Sequence, residues 1–475
     1  MSDTGVLNRT EIGEASKQRR DKYPWKLVGV ISATLLVGVL SWLFLSPTMA
    51  ITAALAVFCI GLWSTAALPE YWPALAFFLI ASVLSVAPEY VVFSGFESSA
   101  FWLLFSGIVL GASISYTGLG RRSAIFLSKM LGDQYVSVLS GIVCFGVGLA
   151  FIMPSAMGRV ALLIPITLAL ADQMGYEPGR NGRAGMLTAA AFGTCLPAFS
   201  ILPANGPNMI LAGMAEGLYG MHLPYWDYLL LHFPVLGLLK SVFLVLLILW
   251  VFPDRAPIVR SVPLKPEPMN GSERRLTTLL AICLLFWFTD SVHHISPGWI
   301  GLAAALFCLW PGAGLTSKNC LNEDIKYGPL FFVAAIMGLG AVISDTGLGS
   351  VIVDGLSNRA GFSPDTPYWN ITALTLISTL VGAVTNLPGV PAIMTPIASD
   401  LAAFTGLSLS AVLMTQVLAF SSVLLPFQAP PLVAAIQLGN LPVGKVTKLC
   451  LMMFVVSIFV LIPLDLLWWM ILGIL

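Results

Sequence analysis

Apolar residues run along this chain in blocks of spanning length, parted by short polar or Pro/Gly-rich joints. The blocks fall at about 27–46, 49–67, 73–92, 100–118, 184–200, 226–252, 276–290, 298–314, 327–344, 408–425 and 446–472. A helix needs ~20 apolar residues to cross a bilayer core, so each block predicts one span. Two further stretches, 135–171 and 368–405, are too long for one span. Each is broken in its middle, by Pro154 and Gly158 and by Pro388, Gly389 and Pro391. A segment that enters, breaks and returns predicts a re-entrant hairpin. The expected fold class is an all-α polytopic membrane protein with about 11 transmembrane helices plus two re-entrant helical hairpins.

Cations sort with this arrangement. With the polar tail inside, inner segments collect Arg121, Arg122, Lys129, Arg180, Arg183, Arg260, Lys265, Arg274, Arg275, Lys445 and Lys448. The outer segments hold Arg359 as their cation and carry Glu89, Glu97, Glu216, Asp227, Asp345, Asp354 and Asp365. This follows the positive-inside rule, and making either broken stretch a single span would invert everything after it. The expected placement is a cell's inner (plasma) membrane, N-terminus cytoplasmic and C-terminus extracytoplasmic.

The two halves echo each other. Leu110–Gly120 and Leu339–Gly349 are identical at all but two positions, Ser113/Val342 and Tyr116/Asp345. Ser155–Pro165 then matches Asn386–Pro396, and Leu202–Asn208 matches Leu425–Pro431, in the same order. Three ordered matches predict an internal duplication, and an odd number of spans per copy makes the copies inverted. The predicted organisation is a cytosolic tail (1–26), a first span (27–48), inverted repeat 1 (49–252, hairpin 135–171), a cytosolic linker (253–275) and inverted repeat 2 (276–475, hairpin 368–405).

Composition narrows the function classes. The 475 residues are 57% hydrophobic and 10% charged with zero net charge, and the mean hydropathy is +0.90. Soluble domains carry about 25% charged residues, so the bilayer is the expected environment. No basic face suggests nucleic acid. The seven cysteines have neither CxxC nor metal-ligand spacing and read as packing residues. Gly118-Leu119-Gly120 and Gly347-Leu348-Gly349 lack the context and lysine of a phosphate loop. No HExxH or serine–histidine arrangement points to an enzyme, and no cofactor is expected.

Matched interruptions in two inverted halves point to a transporter site near the midplane. A helix starting inside the membrane presents unpaired N–H groups and a positive dipole end, which favour an anion. Ser155 offers a hydroxyl at the first break. Arg159 adds a guanidinium, and a charge at that depth is a functional-site hypothesis by default. Thr385 and Asn386 supply polar groups at the second break, where Pro388 suits the first turn of the returning arm. Asn205, Asn208 and Gln428 are the polar side chains of the Pro-rich loops opposite. Lys240 and Asp465, in corresponding final spans, read as a structural pair. His293 and His294 read as interfacial loop residues, and His232 has the same standing.

These features together resemble the divalent anion:sodium symporter family, within the wider ion-transporter superfamily. The resemblance covers the chain from about residue 27. Its most specific parts are Ala161-Leu162-Leu163-Ile164-Pro165-Ile166, Ala392-Ile393-Met394-Thr395-Pro396-Ile397, Asn205-Gly206-Pro207-Asn208 and Ala429-Pro430-Pro431. It implies an elevator-type homodimer carrying di- or tricarboxylates or sulfate, with sodium as coupling ion. Both hairpins and the unwound loops would move against a scaffold that includes the first spans of each repeat. Family tips read Ser-Asn-Thr; here they read Ser155-Ala156-Met157 and Asn386-Leu387-Pro388, with Ser155 retained. The resemblance, with Arg159 added for its guanidinium, assigns substrate to Ser155, Met157, Arg159, Asn205, Asn208, Thr385, Asn386 and Pro388. It assigns the ion to Ser155, Ala156, Ala204, Asn386, Leu387 and Gln428. The lost tip motif and the gained cation give an alternative, a sodium-independent exchanger or uniporter with Arg159 in place of a bound cation. An anion channel and a transport-deficient sensor are the rivals from other classes.

Overall fold

The computed structural model describes residues 9–120, 122, 134–255 and 268–474. The start of the predicted tail, the centre of the predicted linker (256–267) and the cations Arg121, Lys129, Arg260 and Lys265 lie outside the described residues. Among the described residues there is no strand. The first half contains α1 (Arg9–Phe44), α2 (Pro47–Thr65), α3 (Tyr71–Val83), α4 (Ser99–Thr117), α5 (Tyr135–Ile152), α6 (Ala156–Gln173), α7 (Asn181–Cys195), α8 (Gly206–Tyr219) and α9 (Tyr225–Val251). The second contains α10 (Gly271–Phe288), α11 (Pro297–Leu309), α12 (Gly328–Asp345), α13 (Leu348–Ala360), α14 (Pro367–Val384), α15 (Gly389–Met394), α16 (Ala398–Thr405), α17 (Leu409–Phe420), α18 (Pro430–Leu438) and α19 (Val443–Ile471).

Nine of the described helices are long and apolar enough to cross a membrane, or ten if the bent pair α16–α17 is one span. The predicted blocks mostly become helices, with physical adjustments. The tail turns helical at Arg9 and continues into the first span. Block 73–92 ends as helix at Val83, where Ser85 takes a left-handed conformation (φ 48°), so α3 has only 13 residues. Block 298–314 likewise gives the 13-residue α11. α10 begins inside the predicted linker because Asn270 and Glu273 cap it reciprocally, one side chain to the other's backbone N–H.

The two short helices are covered by the opposite half. α3 packs on α12, and α11 packs on α4. Lipid offers no hydrophobic drive for helix pairing, so close approach through small residues supplies it. A Cβ on Gly298 would fall on the Ser99 carbonyl, and one on Gly338 on the Val92 carbonyl.

The breaks fold as follows. α5 and α6 are parted by Met153–Ser155, and both lie on α7. α14 is parted from α15 at Thr385–Pro388 and lies on α17. Pro165 sits inside α6, whereas its counterpart Pro396 falls where the chain leaves helix between α15 and α16. After α7 the chain unwinds through the 3-10 turns Pro197–Ser200 and Leu202–Ala204. After α17 it unwinds to Pro426–Gln428. The last helix of each half carries a π segment, Phe233–Leu239 in α9 and Ser457–Leu461 in α19. Pro234 has no N–H to give the carbonyl of Leu230, and Trp468 Nε1 donates to that carbonyl instead, at 3.0 Å.

At one end of the bundle, charges predicted for the inner face meet one another. Arg122 pairs with Glu273 at 2.8 Å, and Lys445 Nζ donates to Asn181 Oδ1 at 2.7 Å. Arg180 grips Asp254 with two N–H bonds of 2.9 and 2.8 Å. That hydrogen-bonded guanidinium, with the backbone N–H groups of Arg255 and Gly182, holds the Asp254 carboxyl below its ordinary range. A carboxyl depressed in the folded state stabilises the fold above its unfolded pKa of about 3.9. That contribution is lost as pH falls through the lower folded value. Unfolding midpoints of the wild type and Asp254→Asn should therefore differ near neutrality and converge on acidification.

Candidate functional site

The break between α5 and α6, the first tip, is built around Arg159. Ser155 caps α6 by accepting the Gly158 N–H at 3.1 Å, and the first turn of α6 carries Arg159 inward, where its side chain is fully buried. Nη1 donates to the carbonyls of Met153 and, at 2.9 Å, Ala204; Nη2 donates to that of Thr194 at 2.9 Å. These carbonyls belong to the tip, to the first unwound loop and to the last turn of α7. Each is an acceptor that a helix terminus leaves without a partner. Arg159 makes no ion pair among the described residues, and Nε has no partner. One cation thus ties the tip to the unwound loop and keeps its charge uncompensated.

The first loop is fixed by its own asparagines. Asn205 Oδ1 accepts the Asn208 N–H at 3.2 Å, capping α8, while its Nδ2 donates to Ala198 O at 3.0 Å. Asn208 is fully buried and donates to the carbonyls of Phe199 (3.1 Å) and Ile201 (2.9 Å). Its Oδ1 has no partner. Both side chains shape the loop; the unpartnered oxygen of Asn208 is an acceptor that the loop does not use.

The second tip is held from the other direction. Gln428, in the second unwound loop, accepts the N–H groups of Leu424 and Leu425 through Oε1, both at 2.8 Å. Its Nε2 donates to Gly382 O at 2.7 Å, and its carbonyl accepts the Leu387 N–H at 3.4 Å. Asn386 Oδ1 caps the returning arm by accepting the Gly389 N–H at 2.9 Å. The Thr385 hydroxyl donates within the tip, to Val381 O at 2.7 Å. Each returning arm also touches the opposite half: α6 packs on α18, and α15 packs on α8.

The structure thus brings Arg159 together with Ala204, and Leu387 with Gln428. Ser155 and Asn386 are helix caps whose remaining donors, the Ser155 hydroxyl and the Asn386 amide, are free of protein partners among the described residues. Ala156 is half-buried and Met157 turns outward, 43% exposed. Pro388 is half-buried where the chain enters α15. The expected Lys240–Asp465 pair is not formed. Lys240 Nζ donates to the Ser421 carbonyl, and His232 Nδ1 stands 3.4 Å from Asp465 Oδ2. The π segments of α9 and α19 interrupt the regular helical register that the expected pair assumed. His232, read from the sequence only as a structural residue, stands at the Asp465 carboxylate; Pro234 and Pro463, placed alike in the two last helices, are the signal of the breaks beside it. His293 is bound within its own turn, accepting the Ile295 N–H at 3.0 Å. No cluster of metal-ligating side chains occurs among the described residues.

Among the described residues the chain is helical and apolar, and two of its apolar stretches break in their middle and contact two unwound loops, a make-up that suits a membrane transporter. Residues 22–475 match the family model described as the sodium:sulfate symporter transmembrane region, and the chain belongs to that family. It is 24% identical over 263 residues to a membrane protein of Cupriavidus necator, covering 54% of this chain and 51% of the relative. It is 24% identical over 291 residues to the L-tartrate/succinate antiporter of Escherichia coli (strain K12), covering 57% of this chain and 58% of the relative. The chain thus spans about half the length of the curated relatives it matches. Among solved structures it is similar in fold to the YdaH transporter of Alcanivorax borkumensis. That likeness has a TM-score of 0.51 and 14% identity, over 90% of this chain and 99% of that one.

Proposed function

We propose that this protein is a permease for small di- or tricarboxylate anions, working by alternating access, in which the Arg159 guanidinium takes the place of a bound cation at the first hairpin tip. The observation that carries the reading is the convergence of the Met153, Ala204 and Thr194 carbonyls on that guanidinium. Converging carbonyls from a tip and an unwound loop make a small-cation site, and here a side chain fills it. The charge is permanent, so the first tip needs no sodium ion to attract an anion. At an effective dielectric of about 20, a unit charge draws an anion ~7 Å away by ~2 kcal/mol. The L-tartrate/succinate antiporters among the relatives support the substrate class. The matched loops, tips and π segments support two inverted repeats, 49–252 and 276–475, whose breaks and unwound loops form the moving part of an elevator against a scaffold that includes the first spans of each repeat. The homodimer and the cytoplasmic N-terminus belong to the same proposal.

Binding tests it without assuming any coupling. A ligand that binds the folded state raises stability by RT ln(1 + [L]/Kd). Detergent-purified protein is melted with L-tartrate, succinate, citrate and sulfate, each in sodium and in choline buffer. The expected result is a carboxylate shift of equal size in both buffers. A shift confined to sodium would refute the role given to Arg159, and a response to sulfate alone would refute the substrate class.

A further inference from the structure

His232, Lys240 and Asp465 are each fully buried where α9 of the first half meets α19 of the second. Asp465 offers Oδ2 to His232 Nδ1 at 3.4 Å, while Oδ1 has no hydrogen-bond partner. The other imidazole nitrogen faces Met414 Sδ at 3.4 Å, a weak acceptor. The rings of Tyr228 and Trp469 close over the imidazole at 4.8 and 5.7 Å. The cluster is tethered to both unwound loops: Tyr228 donates to Phe199 O at 2.9 Å, and Lys240 donates to Ser421 O.

The groups that face the pair are few. Tyr228 and Lys240 come from its own helix, and Cys450 from α19. Cys195 comes from α7 with Arg159 behind it, and Asp290 sits beside Tyr225 at the start of α9. α17 contributes Met414 and the uncharged Gln416, and the turn Pro197–Ser200 has no titratable side chain. Of the other helices packed on α9, α5 carries Tyr135 and the exposed Cys144, and α10 carries Glu273, Arg274, Arg275 and Cys283. The cluster combines one imidazole, one amine and one carboxyl, so it can be electrically neutral with the imidazole unprotonated. One added proton leaves the cluster positive inside a membrane, which is costly unless an anion is near.

We propose that His232 and Asp465 form a proton-coupling site, with one proton travelling in the same direction as each anion. The proposal rests on the reading of the chain as an anion permease. The proton comes from water on one face, is held between Nδ1 and Oδ2, and returns to water on the other face; no bond other than N–H or O–H is made or broken. An anion on the loops that Tyr228 and Lys240 grip favours the protonated cluster, and by linkage the proton favours the anion to the same degree. Burial gives the site its gating, because the proton exchanges with water only when the surrounding helices move. π segments of the kind that flank the pair are frequent at functional sites.

Two measurements test it, one of which needs no ligand. The chain has four histidines, so the full-length protein with 15N-labelled histidine in nanodiscs gives a readable signal, assigned with His232→Gln. The 15N signal of His232 is expected to change when the buffer is acidified; a signal that does not change overturns the proposal. If His232→Gln does not fold, removing the other three histidines leaves His232 as the sole label. In proteoliposomes, L-tartrate or succinate accumulation should rise about tenfold per unit of inward pH gradient. His232→Gln and Asp465→Asn should lose that response while still exchanging the two anions. A merely structural pair would lower all fluxes and keep the response, which overturns the proposal. If the wild type carries neither anion, the permease reading fails, and the histidine titration alone decides the proton site.

Discussion

Arg159→Ala is expected to lower the stability of the folded chain by roughly 3–5 kcal/mol and to abolish anion movement. The wild-type side chain satisfies three buried carbonyls at once, and each orphaned buried acceptor costs ~1–3 kcal/mol. Water entering the vacated space recovers part of that, which places the sum toward the lower end. Arg159→Lys keeps the charge but replaces the planar fork with a single ammonium, so it should retain part of the stability and little of the geometry. Thermal unfolding in detergent reads the first effect, and uptake into proteoliposomes the second. Because the three carbonyls persist in Arg159→Ala, the emptied place is again suited to a cation. Added guanidinium or sodium should then stabilise the variant more than it stabilises the wild type. An Arg159→Ala protein with wild-type stability and flux would remove the guanidinium from the account.

Gln428→Leu is expected to cost roughly 2–4 kcal/mol and to loosen the second hairpin tip. The amide serves the N–H groups of Leu424 and Leu425 and the carbonyl of Gly382. Leucine fills a similar volume and pairs with none of them, leaving three backbone groups in a dry interior. Hydrogen exchange should speed up at Leu424 and Leu425 and in the segment Thr385–Val390, which follows the Gly382 carbonyl held by the amide and bonds the Gln428 main-chain carbonyl through Leu387 N–H, while the α5–α6 tip is unaffected. The neighbouring Phe427 is 54% exposed, so Phe427→Ala provides the control, with little change in either measurement. Equal protection of Thr385–Val390 in Gln428→Leu and wild type would show that the tip is held by something else.

Both predictions concern side chains that the sequence singled out, but their geometry was not legible there. A lone arginine beside Pro154 reads equally as a ligand for substrate or as a staple, because its depth and its partners depend on where α7 and the first loop come to lie. Asn205 and Asn208 show the same limit: their place at a break was visible, whereas their spending most of their hydrogen bonds on the loop itself was not. The long apolar blocks were readable because hydropathy acts locally along the chain. The end of α3 at Val83 was not, since its left-handed Ser85 carries no glycine to announce it. The Lys240–Asp465 expectation failed for a related reason. Matching charges by sequence position assumes unbroken helices, and the π segments bring His232 to the carboxylate instead. Pro234 and Pro463 were the visible cause, and only the fold shows that Trp468 takes up the carbonyl that Pro234 frees.

The most direct test of the central claim is uptake of labelled succinate and L-tartrate by proteoliposomes containing the full-length protein, with all sodium replaced by choline. If the Arg159 guanidinium occupies the place of a coupling cation, uptake proceeds at the same rate in both media. Uptake that falls to the protein-free background in choline, and returns with sodium, would contradict it.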